Sequence, residues 1–194
     1  AEYAGMPMGT AVSMGIHESQ SRLWENLVGR SKEFCSYLSC KLNDLWGSPD
    51  DLWDQVNLVK PSLIRTEADE VTYSLHIVVR MLLEEKMITG EIGVDDLPDA
   101  WNSLYAKYLG IEPPNNADGV MQDVHWYSGA IGYFPSYALG NLYNAAMYDV
   151  ASNTIPDLPQ KISSGDFGDL LFWLRENVHR HGMKYNARDL IKQI

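Results

Sequence analysis

The chain has 194 residues, of which 45% are hydrophobic, so it is long enough to bury a sizeable core. Its formal net charge of -11 excludes nucleic acid and an anionic membrane surface as favourable partners, because both would repel it. No run approaches the roughly 20 apolar residues of a membrane-spanning helix, and the opening AEYAGMPMGT lacks the pattern of a secretory signal.

Cys35 and Cys40 are the only cysteines in the sequence. They are predicted to lie on one helix, too far apart and too divergent to form a disulfide comfortably. The absence of a disulfide framework is typical of a reducing compartment. We therefore expect a cytoplasmic protein.

The first predicted element is a long helix that begins after Ser13, a suitable N-cap, and ends near Leu45. Apolar residues recur along it at helical spacing, and the Gly-Ser-Pro sequence at residues 47–49 is a stop signal. A short second helix is predicted from Pro49 through Val56. The two helices would form an antiparallel pair.

The first turns of the long helix are unusually polar. Adjacent helical residues point about 100° apart, so His17 and Glu18 cannot easily serve one metal ion together. Glu18 and Arg22 are four residues apart, and a surface ion pair is the ordinary interpretation of that spacing. A metal ligand at one of the first two positions is the alternative, and the helix alone leaves both open.

A further helix is predicted from Ser62 to Thr89, with Gly90 closing it. Five polar residues recur along it at spacings of four, three, four and four. They are Arg65, Asp69, Thr72, His76 and Arg80. A solvated helix face is the ordinary explanation of such a row.

The rest of the chain is predicted to be mostly helical. A helix at residues 99–109 is closed by Gly110, and residues 118–137 are rich in glycine and aromatic residues without a sustained period. At most a few short strands are expected near residues 118–134. Later helices are predicted at residues 135–150, 159–163, 166–179 and from 187 onwards. The predicted fold class is all-α, with residues 1–194 as a single helical region.

Three motifs stand in order along the chain: HESQSRLWEN at residues 17–26, IRTEAD at residues 64–69 and GVMQDVHW at residues 119–126. Together they resemble the carboxypeptidase Taq (thermostable carboxypeptidase) family of zinc or cobalt metallopeptidases. The HExxH motif of that family, which supplies two histidine ligands and the general-base glutamate, occurs nowhere in this sequence. The chain therefore resembles the C-terminal part of the catalytic domain of a helical, zincin-like metallocarboxypeptidase, with the two histidine ligands expected upstream.

The resemblance implies roles for the residues of the first two motifs. Glu18 matches the third metal ligand, and His17 would orient it or a neighbouring group without binding the metal itself. A free C-terminal carboxylate is well recognised by a guanidinium. Arg65 is the first candidate, with Asp69 fixing its geometry, and Arg22 is the second. Structural ion pairing is the alternative for both arginines.

The third motif would serve the reaction itself. Negative charge that develops on the scissile carbonyl needs a hydrogen-bond donor. His125 and one of Tyr133 and Tyr137 are the candidates, and Asp123 would hold the imidazole if the backbone is extended. Gln122 is a candidate for binding the substrate backbone.

The leading hypothesis is a metal-dependent carboxypeptidase acting on peptides with a free C-terminus, forming a homodimer in the full-length protein. The chain alone is expected to bind zinc weakly and to leave peptides uncleaved, because one carboxylate cannot form a closed metal site. Two alternatives remain: a non-catalytic helical scaffold descended from the peptidase, and a self-contained metal site formed by Glu18, His76 and His125.

Overall fold

The computed structural model describes residues 5–43 and 45–194. These ranges contain helices and turns and no strand, which confirms the all-α fold class. The short strands expected near residues 118–134 do not form, and turns occupy most of that segment. No helix among the described residues combines the length and the apolar character that crossing a membrane requires.

Backbone contacts divide the chain into two compact units. The first comprises the chain up to Asn57 together with Leu139–Ile194, and the second comprises Leu58–Ala138. The single helical region expected for residues 1–194 stays a prediction.

The helices have the following bounds. They are α1 (Met14–Arg22), α2 (Lys32–Lys41), α3 (Pro49–Val56), α4 (Tyr73–Ile88), α5 (Leu97–Leu109), α6 (Pro135–Thr154), α7 (Leu158–Ser164), α8 (Gly168–Asn177) and α9 (Ala187–Gln193). A π-helical segment, Leu23–Val28, continues α1, and shorter 3-10 turns lie at Pro7–Gly9, Arg65–Glu67 and His179–Lys184.

The predicted long helix begins correctly and ends too late. Ser13 caps α1, because its side-chain oxygen accepts a hydrogen bond from the backbone N–H of Ile16 at 3.1 Å. The helix widens into the π segment and stops at Gly29, where a Cβ atom would lie 2.6 Å from the carbonyl oxygen of Glu25. Ser31 then caps α2 as a new helix. The extension of one helix to Leu45 was therefore wrong.

The core of the first unit joins the apolar sides of α1 and the π segment to those of α6, α7, α8 and α9. Its buried residues include Ile16, Leu23, Val28, Met147, Leu158, Ile162, Leu170, Leu174 and Leu190. Fully burying one such side chain contributes about 1.5–3 kcal/mol. This core fixes the position of α1, which carries the first motif.

In the second unit, the helix predicted from Ser62 begins eleven residues later, at Tyr73. The Asp69 carboxylate Oδ1 accepts from the backbone N–H groups of Val71 and Thr72 at 2.8 Å each, and so caps the turn that leads into α4. Arg65 and Asp69 therefore lie before the helix and do not share a face with His76.

The expectation that the polar row is a solvated face was wrong. All five residues of the row are at most 7% exposed, and His76 and Arg80 are completely buried. Groups of this kind are stable inside a protein only when they are paired. Their partners define the site described below.

The helix α5 packs its apolar side against α4, around the buried residues Val79, Leu83, Trp101 and Tyr105. Gly110 ends it in the left-handed conformation, with φ at 69°, as predicted. The irregular segment that follows is held by Glu84 of α4. Its carboxylate accepts from Trp126 Nε1 at 3.0 Å and from the backbone N–H of Gly132.

Candidate functional site

Helix α1 presents Glu18 toward α6 within the first unit. A Cβ atom at Gly140 of α6 would lie 3.0 Å from Cγ and 3.1 Å from Cβ of Glu18. The glycine therefore makes room for this half-buried glutamate. His17, its neighbour, is exposed, in agreement with the expectation that adjacent helical residues point in different directions.

Arg22 lies one turn after Glu18 and is only 6% exposed. Its Nε donates to Asn141 Oδ1 at 2.9 Å, and its Nη1 lies 4.0 Å from Glu25 Oε2. The ordinary interpretation of the Glu18/Arg22 spacing was an ion pair at the surface. The Arg22 guanidinium is instead buried next to α6. The role of Arg22 in binding substrate stays a prediction.

A cavity of about 720 Å³ lies in the first unit beside α1. Residues 8–12, His17, Gln20, Ser21 and His179 are among those that line it. His179 Nε2 lies 2.8 Å from Gln20 Oε1, so the ring nitrogen carries the proton and donates it to the amide oxygen. Sequence reasoning did not connect this histidine with the HESQ motif, because 159 residues separate it from Gln20.

The second unit contains a buried network in which two arginines bind one carboxylate. Arg65 donates to Asp123 Oδ1 through Nε at 3.1 Å and Nη2 at 2.8 Å. Arg80 donates to Asp123 Oδ2 through Nε at 2.6 Å. Burial would raise the pKa of Asp123, but the hydrogen bond from Arg65 and the charge of Arg80 outweigh it and hold the pKa below its usual value.

Asp69 does not hold Arg65, so that interpretation was wrong. Among the described residues, the Asp69 carboxylate accepts from Lys60 N, Val71 N and the backbone and hydroxyl of Thr72. The partners of Arg65 are Asp123, the hydroxyl of Tyr73 at 3.2 Å and the ring of Tyr137, whose centroid is 4.8 Å from the guanidinium carbon. These contacts fit the structural ion pair that was the alternative for Arg65.

Gln122 links the same network to the backbone. Its Oε1 accepts from Arg65 N at 2.9 Å and from Arg80 Nη2 at 2.8 Å, and its Nε2 donates to the carbonyl of Leu63 at 3.0 Å. The amide of Gln122 is thus engaged on both sides within the protein. Its expected role in binding the substrate backbone stays a prediction.

His125 lies at the border of the network and is partly exposed. Its Nε2 is 3.0 Å from the hydroxyl of Tyr137, and its ring is 4.5 Å from that of Phe134. Its Nδ1 is 3.7 Å from Asp123 Oδ1, a distance too long for a hydrogen bond but short enough for electrostatic attraction. Burial, followed by the charges of the two arginines, outweighs that attraction and lowers the pKa of His125, so the ring is neutral at neutral pH.

The third candidate of the aromatic segment, Tyr133, lies beside this pair. Its ring centroid is 5.4 Å from that of His125 and 5.4 Å from that of Tyr137. The structure therefore brings together three of the predicted reaction residues in one cluster of the second unit. Glu18 and His17 lie in the first unit.

Sequence reasoning missed Tyr105, and it considered His76 and Arg80 only as part of a solvated face or, for His76, as a metal ligand, not as members of a buried network. The Arg80 guanidinium carbon lies 4.7 Å from the centroid of Trp101 and 5.5 Å from that of Phe134. His76 Nδ1 lies 3.1 Å from the Tyr105 hydroxyl, and burial, together with the charge of Arg80, lowers the pKa of His76 to about 4. The available signal was the spacing of four between His76 and Arg80 inside an otherwise apolar helix.

The described residues contain no group of three His, Cys, Asp or Glu side chains that could hold a metal ion. The self-contained metal site of Glu18, His76 and His125 is therefore wrong. As expected, the two cysteines are unpaired, with Cys35 buried and Cys40 exposed.

Solved structures that share this helical fold include metallocarboxypeptidases. The M32 carboxypeptidase from Deinococcus radiodurans R1 superimposes with a TM-score of 0.93 at 44% identity, over 100% of this chain and 40% of that chain. Trypanosoma cruzi metallocarboxypeptidase 1 gives a TM-score of 0.88 at 33% identity, over 95% of this chain and 40% of that chain.

The chain belongs to the carboxypeptidase Taq (M32) metallopeptidase family, whose model matches residues 1–194. Thermostable carboxypeptidase 1 of Thermus thermophilus is 46% identical over an alignment of 198 positions that covers 100% of this chain and 39% of the relative. Carboxypeptidase 1 of Bacillus subtilis is 42% identical over an alignment of 197 positions that covers 97% of this chain and 39% of the relative. The chain thus spans about two fifths of the relatives' length and corresponds to their C-terminal part, as the motifs predicted.

Proposed function

We propose that this chain is the C-terminal part of a metal-dependent carboxypeptidase that hydrolyses the last peptide bond of peptides with a free C-terminus. The observation that carries the proposal is the family match over residues 1–194, together with relatives that are named carboxypeptidases. The ordered motifs HESQ, IRxxAD and GxxQDxHW support the same activity.

In this proposal Glu18 is the one metal ligand that the described residues supply. Its Cβ and Cγ atoms pass close to Gly140 of α6, and carboxylate oxygen is a common zinc donor. Because no three-ligand group exists among the described residues, the other ligands would come from outside them. A bound divalent ion, zinc or cobalt, would polarise the scissile carbonyl and lower the pKa of a bound water. His17 would orient Glu18 or a neighbouring group.

The reaction residues in the proposal are His125, Tyr137 and Tyr133. The hydrogen bond between His125 and Tyr137 places an imidazole and a phenol side by side at a partly exposed position. Either an imidazole N–H or the phenol O–H can donate to negative charge on a substrate oxygen once the hydrogen bond between the two side chains opens. The nearby Tyr133 ring forms one wall of the same cluster.

Recognition of the substrate carboxylate is assigned to Arg65 or Arg22. The contacts of Arg65 with Asp123 and Tyr73 weigh against it, because its nitrogens already have partners inside the protein. Asp69 would support Arg65 only indirectly, through the start of α4, and Gln122 through its bond to the Arg65 backbone.

The proposal also includes a homodimer and a cytoplasmic location. Both come from the family resemblance and from the composition of the chain. The two unpaired cysteines fit a reducing compartment.

The test compares the 194-residue chain alone with a chain completed by the part of Bacillus subtilis carboxypeptidase 1 that it does not match. Both are assayed for release of the C-terminal residue from an N-blocked dipeptide, with zinc, with cobalt and after chelation. We expect metal-dependent release only by the completed chain, and loss of most of that release in Glu18→Gln. Glu85→Gln, an exposed glutamate of α4, is the matched control.

Equal release by the Glu18→Gln and Glu85→Gln variants would overturn the role of Glu18. A completed chain that folds by circular dichroism and binds metal, but releases no residue under any condition, would favour the non-catalytic scaffold. The absence of a three-ligand group among the described residues is the observation that favours the non-catalytic scaffold as a second candidate function.

A further inference from the structure

The guanidinium group of Arg80 is buried away from solvent and is fixed by hydrogen bonds and ring contacts. Its side chain is 0% exposed, and its nitrogens donate to Asp123 Oδ2, the carbonyl of His76 and Gln122 Oε1. The rings of Trp101 and Phe134 lie 4.7 and 5.5 Å from the guanidinium carbon. A planar fork with donors in fixed directions is thereby locked in one orientation.

The two oxygens of Asp123 therefore have different partners. Oδ2 accepts from Arg80, while Oδ1 accepts from Arg65 and also faces His125 Nδ1 at 3.7 Å. Rotation of the carboxylate would break its hydrogen bonds with Arg65 and Arg80. Such charge-assisted hydrogen bonds are about twice as strong as neutral ones. The direction from Oδ1 to the imidazole is therefore set by the arginines.

A neutral imidazole carries its proton on one of two nitrogens, and its neighbours decide which. A carboxylate near Nδ1 favours an N–H at that position. Nε2 then has a free lone pair and accepts the O–H of Tyr137 across the 3.0 Å contact. The other charged groups that act on the ring are Arg65, Arg80 and Glu84.

We propose that Arg80 is a positioning residue: by fixing Asp123, it sets the His125 tautomer with the proton on Nδ1 and directs the Tyr137 hydroxyl to Nε2. The catalytic consequence rests on the proposed function, because it concerns the pair assigned to the reaction. The proton arrangement itself does not depend on any activity. Arg80 acts through Asp123 and has no contact with His125 in this role.

The experiment records long-range ¹H–¹⁵N spectra of the imidazoles in the 194-residue chain at pH 7.5, without metal or peptide. His125 is assigned by its loss in His125→Gln. In the wild-type chain we expect a protonated Nδ1 and an unprotonated Nε2. In Arg80→Met we expect this pattern to be lost or mixed with the other tautomer. In Arg80→Lys, which keeps the charge, we expect the pattern to be partly retained.

Glu84→Gln is the control, since it changes a buried carboxylate near the ring without touching Asp123. It should leave the His125 tautomer unchanged. If Arg80→Met fails to fold, Arg80→Lys and Asp123→Asn decide the question: the Nδ1–H pattern should be partly lost in Arg80→Lys and fully lost in Asp123→Asn.

An unchanged His125 pattern in folded Arg80→Met, or in both of the other variants, would overturn the proposal, as would an Nε2–H tautomer in the wild-type chain. Absence of peptidase activity in a completed chain, with the expected spectra, would defeat the proposed function and leave this inference standing.

Discussion

The Nε atom of Arg80 lies 2.6 Å from Asp123 Oδ2, and the Arg80 side chain is fully buried. Asp123 also binds Arg65, so one carboxylate compensates two guanidinium groups that are almost out of water. Breaking a buried ion pair by removing one partner costs far more than the pair contributes over a hydrophobic alternative, because a charge remains buried without compensation. Loss of the Asp123 charge would therefore leave two buried guanidinium groups without compensation.

Asp123→Asn should lower the free energy of unfolding by about 3 kcal/mol or more, because both guanidinium groups lose their counter-charge. Urea denaturation followed by circular dichroism measures the change. The control is Asp50→Asn, whose 3.4 Å pair with Lys32 has an 81% exposed carboxylate. That variant should change stability by less than about 1 kcal/mol, and equal losses in both variants would contradict the prediction.

The pH dependence of stability should report on His76. Its pKa is about 4 in the folded chain, against the ordinary histidine value of 6.5. Between these values the unfolded chain binds the proton and the folded chain does not, so this contribution is complete above pH 6.5 and decreases as the pH falls toward 4. From pH 7 to pH 5 it amounts to about 2 kcal/mol.

Urea denaturation at pH 7 and pH 5 tests this expectation in the wild type, His76→Gln and His17→Gln. The wild type and His17→Gln, which changes an exposed histidine, should lose about 2 kcal/mol more than His76→Gln over that interval. The comparison uses the change in the free energy of unfolding between pH 7 and pH 5 within each chain, so a general destabilisation of His76→Gln does not obscure it. The same slope in all three chains would rule out a buried neutral His76.

Much of the fold could be read from local sequence signals. Ser13, Pro49 and Gly110 mark helix ends through capping and backbone geometry that depend only on nearby residues, and the structure places helix ends at each. The break at Gly29 was missed because apolar residues keep their helical spacing across it, from Leu27 to Phe34 and Leu38. The cap at Ser31 was the local signal that competed with this period.

The buried network was not predictable in the same way. Polar residues at spacings of four indicate a solvated face unless each has a partner, and the partner of Arg65 lies 58 residues away at Asp123. The motifs identified Asp123 and His125 as residues of interest but did not indicate which carboxylate holds which guanidinium. Such pairing is a tertiary property that one sequence does not display.

Glu84→Ala should loosen the segment between Trp126 and Gly132. The glutamate accepts from the indole N–H of the first and the backbone N–H of the second, and both donors would lose a buried partner. The expected loss of stability is about 2 kcal/mol. Hydrogen exchange of the Gly132 amide and limited proteolysis of the segment should both accelerate.

Glu85→Ala supplies the comparison for this variant, because it removes an exposed carboxylate from the next position of the same helix. Exchange of the Gly132 amide should remain as slow as in the wild type. If Glu84→Ala and Glu85→Ala exchange alike, the carboxylate of Glu84 does not hold the segment.

Gly140→Ala tests the close approach of α6 to α1 in the first unit. The added methyl group would lie 3.0 Å from Glu18 Cγ and 3.2 Å from the backbone nitrogen of Ser19, closer than ordinary van der Waals contact. Overpacking of this kind costs about 1–3 kcal/mol, which exceeds the gain of up to about 1 kcal/mol from alanine's helix propensity. Urea denaturation should therefore show a net loss of stability.

Gly15→Ala, whose methyl group would meet the movable ring of Tyr143 at 3.3 Å, should be tolerated better. The completed chain carrying Gly140→Ala should also bind zinc more weakly, since Glu18 must move. Unchanged stability and zinc affinity in Gly140→Ala would show that the position of Glu18 does not depend on this glycine.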